Sequence, residues 1–172
     1  MTKLGGCTLV LLAAGLHAPA AHAQMPNPYG GPPAVETARK LAAAAVAEAR
    51  KQNWTIAVAI VDGDGELVFF ERMDNTQSAS VHVAQEKART AARFKRPTKA
   101  FEDALAGGRQ AILGLPGVTP LEGGIPLVQD GKIIGAIGVS GVTSQQDGVC
   151  AQAAVDALAG GKPAPAAAPP KK

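Results

Sequence analysis

Two Asp-Gly turns, each set between runs rich in β-branched residues, limit this chain more than any other feature. Asp62-Gly63-Asp64-Gly65 separates residues 54–61 from residues 66–72, and Asp130-Gly131 separates 125–129 from 132–140. Asp and Gly tolerate the backbone a tight reversal needs, so each turn marks an antiparallel hairpin. The segments around them are helical. Val35, Ala38, Leu41, Ala42, Ala45, Val46 and Ala49 recur at three and four residues, which predicts a helix over 34–52. Residues 76–94 repeat that spacing through Ala84, Ala88 and Ala91 until Pro97 stops it, and 98–105 form a shorter helix closed by Gly107-Gly108. Residues 113–126 hold too many Gly and Pro for helix and read as a shaped loop. A last helix over 143–159 opens with Thr143 and Gln146 at capping-box spacing. The order helix, hairpin, two helices, hairpin, helix predicts an α+β fold: an antiparallel sheet with helices packed on it.

The ends differ from the body. Lys3, a short apolar run over 8–16 and Ala21-His22-Ala23 form the pattern of a cleavable export signal over 1–23. That run is far short of the ~20 residues that span a bilayer, so no membrane anchor is expected. Residues 24–33 are rich in Pro and Gly and predict a flexible arm, the body covers 34–160, and 161–172 predict a disordered Ala/Pro tail. The net charge of +3 belongs to the ends: Lys3, Lys162, Lys171 and Lys172 are 4 of the 17 basic residues, leaving 13 against 14 acids. A body at −1 offers no basic face, so nucleic acid is not an expected partner. Cleavage after Ala23 would leave a periplasmic or secreted chain with His82 as its one histidine and Cys150 as its one cysteine. Cys150 falls in an apolar helical pattern and reads as a core residue.

Most catalytic templates fail on this inventory. One histidine and one cysteine, far apart, make neither a zinc site nor a charge-relay triad. The phosphate loop and the dinucleotide fingerprint are missing, and residues 138–142 (GVSGV) are not a nucleophile elbow. No catalytic residue is assigned. His82, Glu86, Arg89 and Arg93 share one helix face. They form either a solvated face laced by ion pairs or a ligand-facing stripe, with His82 as a metal ligand and the arginines pairing carboxylates. From His82 to Arg89 is about 10 Å, which suits a broad ligand with acidic arms better than a small ion. Phe94 is either an apolar contact for such a ligand or a core aromatic. Gly123 and Gly124 either permit a sharp entry to a strand or leave backbone N–H groups bare for a carboxylate.

Residues 58–74 (VAIVDGDGELVFFERMD), 87–98 (KARTAARFKRPT) and 123–147 (GGIPLVQDGKIIGAIGVSGVTSQQD) resemble the GlcG/HbpS-like heme-binding family, in order and spacing, over 34–159. The resemblance implies a five-stranded antiparallel sheet of profilin-like or sensor type, assembly into homo-oligomers, and heme as cofactor. Family members are assigned heme binding, slow heme breakdown or redox sensing, and others accompany glycolate or corrinoid metabolism. Some members hold heme through a histidine in the first helix, and residues 34–52 contain none. His82 is therefore a physical choice, not one the resemblance carries over. Three functions follow: an exported heme-binding oligomer, an accessory enzyme acting on heme or a small organic acid, and a cofactor-free sensory or structural oligomer.

Overall fold

The computed structural model describes residues 25–160. The expected leader over 1–23 and tail over 161–172 lie outside the described residues. The elements are α1 (Val35–Lys51), β1 (Ala57–Val61), β2 (Leu67–Arg72), α2 (Ser80–Phe94), α3 (Lys99–Ala106), a 3-10 turn (Gln110–Gly114), β3 (Gly124–Gln129), β4 (Lys132–Ser140) and α4 (Ser144–Leu158). Both predicted hairpins form, and β1 then pairs with β4, giving an antiparallel sheet in the order β2-β1-β4-β3. The α+β class holds.

The sheet has four strands among the described residues, not the five expected. The β1–β4 ladder ends at Val61↔Ala136, so the first residues of β4 run on past β1. Residues 28–30 lie along that free edge and join it through a single parallel bridge, Tyr29↔Ile133. Pro26, Pro28, Pro32 and Pro33 lack the N–H that a longer ladder would use. Within the segment expected as a flexible arm, residues 25–30 bond to the body. The Met25 amide donates to the Lys95 carbonyl (2.8 Å), the Gly30 amide to Ile133 (2.8 Å) and the Tyr29 hydroxyl to Ala92 (2.9 Å).

The two faces of the sheet pack differently. Ile56, Val58, Ile60, Leu127, Ile137 and Val139 meet α1 and α4, where Leu41, Val46, Cys150 and a run of alanines close the main core. Each fully buried Val, Leu or Ile stabilises this layer by about 1.5–3 kcal/mol. On the other face Ala57, Ala59 and Ala136 meet Ala84, Ala88, Ala91 and Ala92 of α2. Small side chains on both sides bring the α2 backbone close to the strands. At Gly138 the approach is so close that an added Cβ would strike the Ala84 carbonyl oxygen and lie 2.5 Å from the Ala88 nitrogen. That seat fixes α2, and α2 carries the residues of interest.

One helix boundary moved. Helix α2 begins at Ser80 rather than 76, because the buried Thr76 hydroxyl donates to the Ile56 carbonyl (3.2 Å) and holds that turn against the start of β1. Helix α4 begins as predicted: Thr143 and Gln146 cap each other reciprocally.

Candidate functional site

Helix α2 turns its alanine stripe to the sheet and presents His82, Glu86, Arg89 and Arg93 on its outer side. His82 is exposed and makes no side-chain hydrogen bond or ion pair among the described residues. Glu86 and Arg89 form an ion pair at 2.6 Å. Arg89 Nε also donates to the Gly65 carbonyl (3.2 Å), and Arg93 Nε donates to the Asp64 carbonyl (2.8 Å). Arg93 further lies 3.6 Å from Glu66. Both arginines therefore grip the β1–β2 turn. The turn is shaped by Asp62, whose Oδ1 accepts from the amides of Asp64 and Glu66. The expected stripe exists as one face, but part of the guanidinium donor capacity is spent on backbone carbonyls.

On the other flank of α2, the loop leading into β3 runs alongside the helix. Thr90, four residues beyond Glu86, donates to the Gly117 carbonyl (3.1 Å) and accepts from the Thr119 amide (2.9 Å). The loop holds Leu113, Leu115 and Leu121 exposed to solvent. Phe94 is half-buried and packs edge-on against Phe101 with ring centroids 5.4 Å apart, which places it in a small aromatic cluster with α3.

Gly123 and Gly124 are buried rather than bare. The Gly124 amide donates to the Thr98 hydroxyl (2.9 Å) and the Gly123 carbonyl accepts from the Val139 amide (2.9 Å). A Cβ on Gly124 would strike the Lys87 carbonyl oxygen, and one on Gly123, where φ is 125°, would lie 2.9 Å from Lys87 Nζ. The Gly124 amide is thus bonded within the protein.

What these glycines make room for is a buried ion pair. Lys87 Nζ donates to Asp147 Oδ2 (2.7 Å) and to the Val139 carbonyl (3.1 Å). Asp147 Oδ1 accepts from the Val142 amide (3.2 Å). Burial pushes the Asp147 carboxyl above the ordinary carboxylate range, against the opposing pull of Lys87. Nearby, Glu102 accepts from the Ser144 hydroxyl (2.9 Å) and from the Glu122 amide, and burial raises Glu122 as well. Sequence reasoning missed Lys87, Asp147, Thr90 and Glu122. The signal for Lys87 was present, since it sits between Ala84 and Ala91 in the inward spacing of α2.

Among the described residues no three His, Cys, Asp or Glu side chains gather as a metal site, and no helix is long and apolar enough to cross a membrane. A metal-bearing ligand would have to bring its own coordination sphere and take a single residue from the protein. His82 offers an accessible imidazole, and Arg89 and Arg93 stand on the same helix face.

Comparison with known proteins agrees in fold and extends the reading. Residues 34–156 match the family model described as haem degrading protein HbpS-like. Protein GlcG of Escherichia coli strain K12 is 45% identical over 105 residues, which are 61% of this chain and 78% of GlcG. A crystal structure of a PduOC–heme complex superposes with a TM-score of 0.67 at 30% identity, covering 73% of this chain and 94% of that one. The crystal structure of HbpS superposes with a TM-score of 0.69 at 29% identity, covering 86% and 99%. With the family model matching residues 34–156, the greater part of the chain, the chain belongs to the HbpS-like family.

Proposed function

We propose that this protein is an exported heme-binding protein that acts as an oligomer, with His82 as the iron ligand. The observation that carries the reading is the similarity, at 30% identity, to a PduOC chain crystallised with heme. Support from this chain is local. His82 makes no side-chain bond among the described residues, and Arg89 and Arg93 stand about two and three turns further along, with N–H groups beyond those bonded to the turn available for carboxylate arms. Leu113, Leu115 and Leu121 expose apolar surface on the segment held to the other flank of α2 through Thr90. A macrocycle on this open face would need a second wall, which a neighbouring subunit would supply. Bound heme would contribute iron-centred redox chemistry, while the protein's part is to ligate, orient and shield. The family description, haem degrading, favours breakdown of the bound heme as a second reading.

Titration of the purified protein with hemin tests both. A saturable Soret shift that His82→Ala weakens or displaces is expected. A shift identical in His82→Ala would reject that ligand, and no saturable shift would reject heme binding. Loss of the heme absorbance with reductant and oxygen, faster than in protein-free controls, would establish breakdown. Recovery from the periplasm or medium, with an N-terminus at Gln24, is the expected result for export; retention in the cytoplasm would reject it.

A further inference from the structure

Residues 25–30 precede the stretch that the family model matches, which begins at residue 34. We propose that residues 25–30 are an exchangeable edge guard. They fill a strand-addition site on β4 which, when vacated, accepts the same segment from a second copy of this chain.

The site is the stretch of β4 that outruns β1. Ile133 exposes one amide and one carbonyl along that edge, and the guard satisfies both: Ile133 N donates to the Pro28 carbonyl (2.9 Å), and Gly30 N donates to the Ile133 carbonyl (2.8 Å). Main-chain pairing of this kind accepts any extended segment, and the segment present at equal concentration in every copy is residues 25–30. The remaining grip is polar. Lys95 Nζ lies 4.3 Å from the Tyr29 ring centroid and donates to the Asn27 carbonyl (3.0 Å), while Asn27 Nδ2 donates to Gly131 (2.9 Å). Tyr29 itself is 44% exposed. Little apolar surface has to be uncovered for the guard to lift, so opening is local and does not require the core to unfold.

The hinge is built into the sequence. A Cβ added at the exposed Gly31 would meet nothing within 4 Å, and Pro33, two residues on, is buried just before the start of α1. Rotation at Gly31 would free the guard and leave α1 in place. Because each copy carries both the guard and the overhang of β4, reciprocal exchange closes a two-fold dimer with both overhangs filled.

A disulfide reporter distinguishes the two arrangements whatever other assembly the protein undergoes. A Cβ placed on Gly30 would lie 3.1 Å from Lys132 Cβ, so Gly30→Cys with Lys132→Cys can link guard to edge. Oxidised as isolated, this variant should give a link within one chain. Held warm below its unfolding transition at high concentration and then oxidised, it should give covalent dimers on a non-reducing gel. Deleting Gly31 shortens the hinge and should make the interchain link the majority species. Should that deletion fail to fold, the warmed full-length variant decides alone. Links confined to one chain under every condition would overturn exchange. The absence of any link would overturn the guard itself.

Discussion

The Lys87 ammonium lies 2.7 Å from the Asp147 carboxylate with both side chains 2% exposed, tying the middle of α2 to the first turns of α4. Removing one partner leaves the other charge buried and alone, which typically costs about 3–5 kcal/mol. Lys87→Met should therefore lower the urea midpoint sharply. Combining it with Asp147→Leu should restore much of the loss, since an apolar pair of similar size avoids the desolvation cost. A double variant as unstable as the single would show that the loss came from packing rather than from the orphaned charge.

The same pair sets a pH dependence. Asp147 and Glu122 both have carboxyls raised by burial, so the folded chain holds protons where the unfolded chain has released them. Stability from these groups is fully present below the ordinary carboxylate range and is lost as pH rises through their raised folded values. Urea unfolding at stepped pH across that window should show stability falling with rising pH. Asp147→Asn should flatten the slope but not abolish it, because Glu122 remains. An unchanged slope would remove Asp147 as its source.

Gly124 has no room for a side chain. Its added Cβ would meet the Lys87 carbonyl oxygen and, at 2.6 Å, Thr98 Cγ2. Both neighbours are held, one in the α2 backbone and the other by its own bonds to Gly124. Gly124→Ala should cost about 1–3 kcal/mol through overpacking and loosen the Thr98 contact. Chemical denaturation checks the magnitude, and a fall within error would mean that α2 can shift away from β3.

How much of this was legible follows from where the signals lie. The hairpins and α1 were readable because a turn pair and a periodic stripe are local. The outer face of α2 was readable for the same reason, down to the Glu86–Arg89 pair. The partners of Arg89 and Arg93 were not, since they are backbone carbonyls of a turn and leave no mark in side-chain pattern. Lys87 was not singled out although it stood at an inward position, because its partner is 60 residues away. Residues 24–33 read as an arm because Pro and Gly content speaks against a regular ladder. It does not exclude an irregular segment bonded to an edge strand.

Cys150 should be chemically silent in the folded protein. Burial, with the nearby charges of Asp147 and Glu48, pushes its thiol up to about 12. The nucleophilic thiolate is then almost absent at neutral pH. An aromatic disulfide reagent should leave Cys150 unmodified in buffer and modify it in denaturant. Prompt reaction without denaturant would place Cys150 at an accessible surface and contradict its position in the core.

The arginine grip on the β1–β2 turn makes a distinct prediction from the heme reading of the same face. If Arg89 and Arg93 serve the turn, their loss should be felt at Asp62–Glu66 before any ligand is added. Charged hydrogen bonds to carbonyls contribute more than neutral ones when shielded, but Arg93 is half-exposed and its share is reduced by solvent. Arg89→Ala should cost about 1 kcal/mol and Arg93→Ala less. Both should speed amide exchange in the turn, including at Gly65, whose amide donates to the Asp62 carbonyl (3.1 Å). Lysine at position 89 has no Nε–H at the same reach and should not restore protection. His82→Ala should leave turn exchange untouched, since that side chain contacts none of these groups. Turn exchange unaltered in both arginine variants would show that Asp62 alone fixes the hairpin, leaving the two guanidiniums free for a carboxylate-bearing ligand.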